Sequence, residues 1–313
     1  MIYTITPNPA LDTCGVVDRL VPDEKNYVSA VTNFPGGNGV NVARVLTRLK
    51  VECVASGFLG GSIGEELFGA LRREKVQCDF VEIEGHTRMS VTVTQSKTGC
   101  QTRLSFPGPV IRKSEALALS KKVRNMEASS ILMCGGSLPG NYSVQDLVKL
   151  LKLAKSQGLR LVVDCPGKLL RPLIEAQPSL IKPNIVEFQQ LMGKKLHSVE
   201  TLARSAKTLL KQVQLVCVSS VDGGALLVTQ KGTWYGKGKS IKACSTVGAG
   251  DSMVAGMISR MTLNDDWDEL APELLRRGIA AGMATASQPT GYLGQATDIQ
   301  KFSGQVRIKR ISS

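Results

Sequence analysis

Apolar and polar positions along this chain follow two rhythms. Short unbroken apolar runs at 2–6, 51–57, 131–134, 161–163, 179–181 and 215–218 predict buried strands. Between them the repeat lengthens to that of a helix. Val42, Val45, Leu46 and Leu49 share one helical face, and Met253, Met257, Ile258 and Met261 share another. Helices are also predicted over 65–75 and 273–287. The second carries Ala280, Ala281, Gly282, Ala284 and Ala286, so many small residues that close approach to another element, or to a bound planar group, is expected.

Four of the apolar runs end in polar residues. These are Gly136-Ser137 after 131–134, Asp164 after 161–163, Lys182-Pro183-Asn184 after 179–181, and Ser219-Ser220 after 215–218. That repetition marks a parallel sheet whose functional edge lies at the strand C-termini. Residues 13–35 have a different texture, with no helical period and with Val16, Val17, Val28 and Val31 placed as in hairpin strands. Segments 80–84, 89–95 and 101–106 alternate as short strands, the last two joined by a turn at Lys97-Thr98-Gly99. The expected fold is α/β: a mostly parallel sheet flanked by helices, with a small β-sheet beside it. No repeat, low-complexity tract or linker divides the chain, so 1–313 reads as a single domain.

Composition narrows the partners. With 42% hydrophobic and 21% charged residues, the 313-residue chain has the balance of an ordinary globular protein. A net charge of +13 invites a nucleic-acid reading, but the basic residues are scattered. Only seven Phe, five Tyr and two Trp are available for base stacking, and no nucleic-acid recognition motif is present. A positive field that draws in small anions is expected instead, with no nucleic acid. The eight cysteines stand singly, without CxxC pairs, which implies a reducing compartment and no structural zinc. No basic leader followed by an apolar core opens the chain, and no run is long enough to span a bilayer. A cytoplasmic protein with no membrane contact is expected.

The strongest chemical signal is Ser245-Thr246-Val247-Gly248-Ala249-Gly250-Asp251 at the start of a helical pattern. Three small residues at a helix N-terminus let backbone N–H groups converge on an anion. A carboxylate inside that anion site repels the ligand unless it takes a proton from a hydroxyl that attacks phosphorus. The plainer alternative is that Asp251 complements the helix dipole. A second glycine loop, Gly36-Gly37-Asn38-Gly39, runs into a helix at Asn41. It is neither a Walker A motif nor a dinucleotide fingerprint. Asn41 there can cap the helix or bind a hydroxyl. Asp12 stands just past a strand end, where open α/β sheets hold ligands. Asn184 and Glu187 are spaced as a capping box, or as residues beside a hydrated Mg²⁺, which takes few protein ligands.

In combination, Asp12, PGGNGVNVA at 35–43, GSLP at 136–139, KPNxxE at 182–187 and STVGAGDSM at 245–253 resemble the ribokinase-like carbohydrate kinases. The closest likeness is to their phosphofructokinase B branch of 6-phosphofructokinases, 1-phosphofructokinases and tagatose-6-phosphate kinases, over essentially the whole chain. The resemblance implies an ATP- and Mg²⁺-dependent kinase with a small β lid, its strands within about 13–35 and 86–107, and a homodimer formed through that lid. It makes Asp251 the general base and the amides of Gly248, Ala249 and Gly250 the anion hole. Asp12, Gly36, Gly37, Asn38, Gly39 and Asn41 would hold sugar hydroxyls, and Lys25, Arg88, Arg103 and Ser137 the substrate's phosphate. Lys182 and Asn184 would meet the nucleotide phosphates, and Glu187 with Asn184 the metal through water. Ser219 and Gly224 would border the nucleotide, with Ser287 near the adenine.

The chain departs from the family pattern in places. Its nucleotide loop has Val221 where a glycine is usual, Asn38 replaces the common Lys or Gly, and Gln288-Pro289-Thr290-Gly291 is atypical. Arg103 resembles an arginine of the 6-phosphofructokinases, while the TPNPALD opening at 6–12 looks more like the other two groups. Arg103 is the stronger sign, because a second guanidinium contacts phosphate directly. Fructose 6-phosphate therefore leads, ahead of fructose 1-phosphate and tagatose 6-phosphate. A kinase of unphosphorylated sugars and a non-catalytic sugar-phosphate or nucleotide-binding module are the rivals.

Overall fold

A computed structural model describes residues 1–262 and 264–311. β1 (Ile2–Thr6) lies inside the large sheet, and the chain then leaves for the antiparallel pair β2 (Ala10–Val17) and β3 (Ser29–Gly36). It returns through α1 (Asn38–Arg48), β4 (Cys53–Leu59), α2 (Gly61–Arg73) and the short strands β5 (Gln77–Cys78) and β6 (Val81–Glu82). A second excursion, β7 (Arg88–Gln95) and β8 (Gln101–Ser105), completes a four-stranded small sheet of order β3-β2-β7-β8.

From α3 (Lys113–Arg124) onward, helix and strand alternate through β9 (Ile131–Gly135), α4 (Val144–Ser156), β10 (Arg160–Asp164), α5 (Gly167–Leu173) and β11 (Leu180–Ile181). The alternation ends with α6 (Ile185–Met192), α7 (Val199–Lys207) and β12 (Leu215–Val221). Antiparallel strands β13 (Gly224–Val228) and β14 (Thr233–Lys237) extend that edge. Helices α8 (Ala249–Ile258), α9 (Trp267–Ala286) and α10 (Ala296–Ser303) then lead to the edge strand β15 (Arg307–Arg310).

The large sheet runs β15-β14-β13-β12-β11-β10-β9-β1-β4-β5, and its inner pairs from β12 to β5 are parallel. Side chains alternate across it. Ile131, Met133 and Val162 join one core with α1, α8 and α9, while Leu132, Cys134, Leu161 and Val163 join another with α4 and α5. Both faces are covered, so strands buried on two sides read as continuous apolar runs rather than alternating ones.

Several bounds differ from expectation for identifiable reasons. β12 continues through Ser219 and Ser220 to Val221, because antiparallel pairing with β13 absorbs those polar residues around a bulge. α9 begins at Trp267, with Pro272 inside it, so a proline within the pattern concealed its first turns. The 80–84 run yields only the two-residue β6. Four regions thus meet at one end of the large sheet: the ends of β1 and β9 to β12, the N-termini of α1 and α8, and the small sheet.

Candidate active site

α8 starts from Gly248, whose φ of 76° is left-handed and suits a residue without Cβ. Asp251 falls in the helix's first turn. Its Oδ2 accepts a hydrogen bond from Asn41 Nδ2 at 2.8 Å, across 210 residues of sequence. Lys182, emerging from β11, is buried and pairs with the Asp164 carboxylate at 3.3 Å. Its ammonium lies 3.4 Å from where a Cβ on Gly250 would stand. One cation, two carboxylates and a helix N-terminus therefore share a small volume.

Electrostatics follow from that crowding. Burial first, then the Asp164 carboxylate, raise Asp251 from 3.8 to about 7, against the Asn41 hydrogen bond and Lys182. Asp12 rises to about 6, again chiefly through burial, with Arg88 and Arg44 pulling the other way. Burial lowers the Lys182 ammonium, but Asp164 and the neighbouring acids outweigh it and the net shift is upward. A carboxylate poised near neutrality, in the first turn of α8, is suited to accept a proton from a hydroxyl.

The small sheet supplies the opposite wall. Asp12 on β2 lies so close to Gly36 that a Cβ there would sit 2.1 Å from its carboxylate oxygen. Arg88 donates to the Asn8 and Phe106 carbonyls, both at 3.3 Å, and acts electrostatically on Asp12. Arg103 reaches across to Thr246 Oγ1 at 3.1 Å, next to the α8 anion loop. Ser137 Oγ accepts from Asn8 Nδ2 at 3.1 Å, and Asn38 Nδ2 donates to the Asp164 carbonyl at 3.4 Å. Gly37 and Gly39 let α1 settle on β1: a Cβ on Gly37 would meet Thr6 Cγ2 at 2.7 Å, and one on Gly39 the Ile5 carbonyl oxygen at 2.9 Å.

On the other side of α8 opens a cavity of about 690 Å³. Ser219, Gly224, Ala249, Gly250 and Met283 are among the residues that line it. The turn beside it is built without the usual glycine. Val221 is buried, and Ser220, Asp222 and Gly223 take positive φ instead. Asn184 bridges to Ser219 through the backbone.

Several expectations need correction. Of the two roles open to Asn41, capping α1 is ruled out, since the N-cap is Gly37 and the Asn41 side chain goes to Asp251. The Ala249 amide is already donated to the Thr246 carbonyl at 3.3 Å, which leaves it less free to serve an anion. Ser287 Oγ turns back to the Met283 carbonyl, and Ala286 rather than Ser287 lines the cavity. The small residues of α9 mostly serve helix packing. Gly278 faces Met253 and Met257, and Ala281 faces Gly256, while Gly282 and Ala286 reach the cavity. Lys25 lies on the exposed 18–28 loop, outside the strands that carry Arg88 and Arg103.

Asn184 and Glu187 do form the capping box: Asn184 Oδ1 accepts from the Glu187 amide at 3.0 Å, and Glu187 Oε2 from the Asn184 amide at 2.9 Å. Burial, reinforced by Asp164, still holds the Glu187 carboxyl above its ordinary value despite that backbone bond. An acid so placed is one that a nearby cation would relieve, so the donor set fits a hydrated metal ion.

Three residues were missed. In the sequence Asp164 marks only a strand end, and Thr246 and Asn8 stand only as members of the 245–253 and 6–12 segments. A polar residue between two prolines, directly after a buried strand, was the available signal for Asn8.

Comparison with known proteins identifies the family and the fold. The family described as pfkB family carbohydrate kinase matches residues 8–297. The chain is 33% identical over 312 residues to a 1-phosphofructokinase of Bacillus subtilis, covering 99% of this chain and 100% of that one. It is 32% identical over 304 residues to the ATP-dependent 6-phosphofructokinase isozyme 2 of Escherichia coli, covering 96% and 97%. The crystal structure of phosphofructokinase-2 from Escherichia coli, in complex with substrates and products, superposes with a TM-score of 0.91 at 32% identity, over 97% of this chain and 98% of that one.

Proposed function

The chain belongs to the pfkB family of carbohydrate kinases and is a phosphofructokinase-type sugar kinase, and from that premise we propose that its acceptor is a ketohexose monophosphate, fructose 6-phosphate first. The observation that carries this reading is the Arg103–Thr246 hydrogen bond at 3.1 Å. It brings a guanidinium of the small sheet to the lip of the helix that bears Asp251. Arg88, against Asp12, adds a second cation on the same wall. An acceptor without a phosphate has no use for both.

In this mechanism Asp12 and Asn41 hold sugar hydroxyls, and Asp251 removes the proton from the attacking one. The developing charge on the transferring phosphoryl group meets the N-terminus of α8 and the Lys182 ammonium. ATP, the phosphate donor expected of the family, fits the cavity between β12 and α9. Glu187 and Asn184 would hold Mg²⁺ through water, and a metal there neutralises charge on the nucleotide phosphates.

The small sheet would act as a lid and as the contact in a homodimer. Tyr27 is 84% exposed and Val31 58%, with Leu104 and Phe106 also bare. That apolar surface on one small sheet supports burial against a second copy. Lys25, on the same sheet's outer loop, would then serve the neighbouring site rather than its own.

The test is an ADP-release assay with Mg-ATP that compares fructose 6-phosphate, fructose 1-phosphate, tagatose 6-phosphate and fructose by kcat/KM. Fructose 6-phosphate is expected to lead, and Arg103→Met to raise its KM about tenfold or more with a smaller change in kcat. Preference for fructose 1-phosphate would move the reading to that acceptor and make the 6–12 opening the better guide. Equal use of free fructose would remove the phosphate role of Arg88 and Arg103.

A further inference from the structure

Asp251 is the end of a row of side chains. Its partner Asn41 presents the other end of the same amide, Oδ1, to Arg44 Nη1 at 3.2 Å. Arg44 is only 2% exposed, and each of its guanidinium nitrogens has a partner. Nη1 also donates to the Pro35 carbonyl at 2.9 Å, Nε to both Glu74 oxygens at 3.0 Å, and Nη2 to Glu74 Oε1 at 2.7 Å. Glu74, the C-cap of α2, is held in turn by Arg48 at 3.0 Å. The row Glu74–Arg44–Asn41–Asp251 thus crosses from α2 through α1 to α8.

An amide side chain can be turned over at little cost, but its two ends are chemically opposite. A guanidinium only donates, so it accepts the company of Oδ1 and rejects the NH₂ group. Turned over, Asn41 would direct its carbonyl at the Asp251 carboxylate, and both contacts would become repulsive. Arg44 has its charge balanced by Glu74, so it is not a spare cation waiting for a phosphate.

We propose that Arg44 is a positioning residue for phosphoryl transfer: it holds the Asn41 amide in the one orientation that donates to Asp251. The inference rests on Asp251 being the base. The plain alternative is that the Arg44–Glu74 pair only staples α1 to α2.

The experiment is the pH dependence of kcat/KM in Arg44→Lys, Asn41→Ala and the double variant. Lysine keeps the charge and loses the fork that fixes Asn41. The groups facing Asp251 are Asn41 from α1, Asp164 at the end of β10, Lys182 after β11 and Asp12 from β2, with Arg44 also in electrostatic reach of Asp12. When the oriented donor is lost, Asp251 holds its proton more tightly and the acid limb moves to higher pH. Arg44→Lys should therefore lose about three- to tenfold more activity at pH 6 than at pH 8, relative to the parent enzyme. In the Asn41→Ala background the same substitution should add no further shift.

A shift that persists without Asn41 would mean that Arg44 acts by another route, and the proposal falls. An unmoved limb with a lowered Tm would make Arg44 a staple only. Should Arg44→Lys not fold, Glu74→Gln loosens the same guanidinium, and an unmoved limb there is equally fatal. Asp251→Asn separates the two layers: if it keeps turnover, the base assignment itself is wrong, whatever Arg44 does.

Discussion

On the side of α8 that faces the small sheet, polar side chains from distant parts of the chain are already joined. Asn8 meets Ser137, Arg103 meets Thr246, and Asn41 meets Asp251. On the side that faces β12 and α9, glycine, alanine and aliphatic surface, with Ser219, Ser220, Ser240, Lys237 and Lys239 among them, line a cavity of about 690 Å³. The first wall is a set of donors and acceptors already joined to one another; the second is chiefly a shape, with two lysines and a few hydroxyls along it. A sugar phosphate must be told apart from its isomers by hydroxyl and phosphate positions, which requires fixed polar groups. A nucleotide can be held by backbone amides and a slot of the right width. The two walls should therefore fail differently when altered.

The largest difference is expected at the residue between them. Asp251→Asn keeps the shape and removes the proton acceptor, so kcat should fall about a hundredfold or more with both KM values largely kept. Loss of binding without loss of kcat would place Asp251 on the first wall rather than at the chemistry.

Gly282→Val probes the second wall. A Cβ at Gly282 would meet the Ala249 carbonyl oxygen at 3.2 Å and Met253 Cβ at 3.8 Å, so a small side chain fits with slight adjustment and projects into the cavity. KM for ATP should rise about tenfold while KM for the sugar phosphate stays near the parent value. If the sugar-phosphate KM moves as well, the two walls are coupled and the contrast between them is too sharp.

The same contrast explains what could be read from sequence. Parallel strands buried on both faces announce themselves as apolar runs, and the Gly248–Asp251 loop as small residues ahead of an acid. Arg88 and Arg103 were visible as charges within an alternating β pattern. The resemblance points to the end of α9 near Ser287, and that helix does border the cavity, although the Ser287 hydroxyl is spent on the Met283 carbonyl. Ala286, which does line the cavity, carries no polar mark. Asn41 near a helix start suits a cap or a hydroxyl ligand equally; its bond to Asp251 spans 210 positions, and no local pattern encodes it. Arg44 and Glu74 were invisible for the same reason, as charges that look solvated on a helix until packing brings α1 and α2 together.

The smallest effect tests the electrostatics of the junction without any substrate. Asp251 stands at about 7 in the folded protein against an ordinary 3.8, so the folded state binds the extra proton between those values. Stability from this group is therefore greatest below about pH 4 and is lost as pH rises toward and through 7. Above that, the folded protein carries a buried charge beside Asp164 that Asn41 and Lys182 only partly offset. Asparagine has no proton to lose, so Asp251→Asn removes this slope. Asp12, raised to about 6, contributes in the same direction in both proteins, so its share should largely cancel in the difference. The variant should gain stability relative to the parent as pH goes from 5 to 8, by about 1–2 kcal/mol, below the full conversion of the shift because the carboxylate also faces the open cleft. Unfolding in urea at both pH values measures it. A difference that stays flat with pH would mean that Asp251 is charged throughout, and that an acid limb in the kinetics belongs to Asp12 or to the substrate phosphate instead.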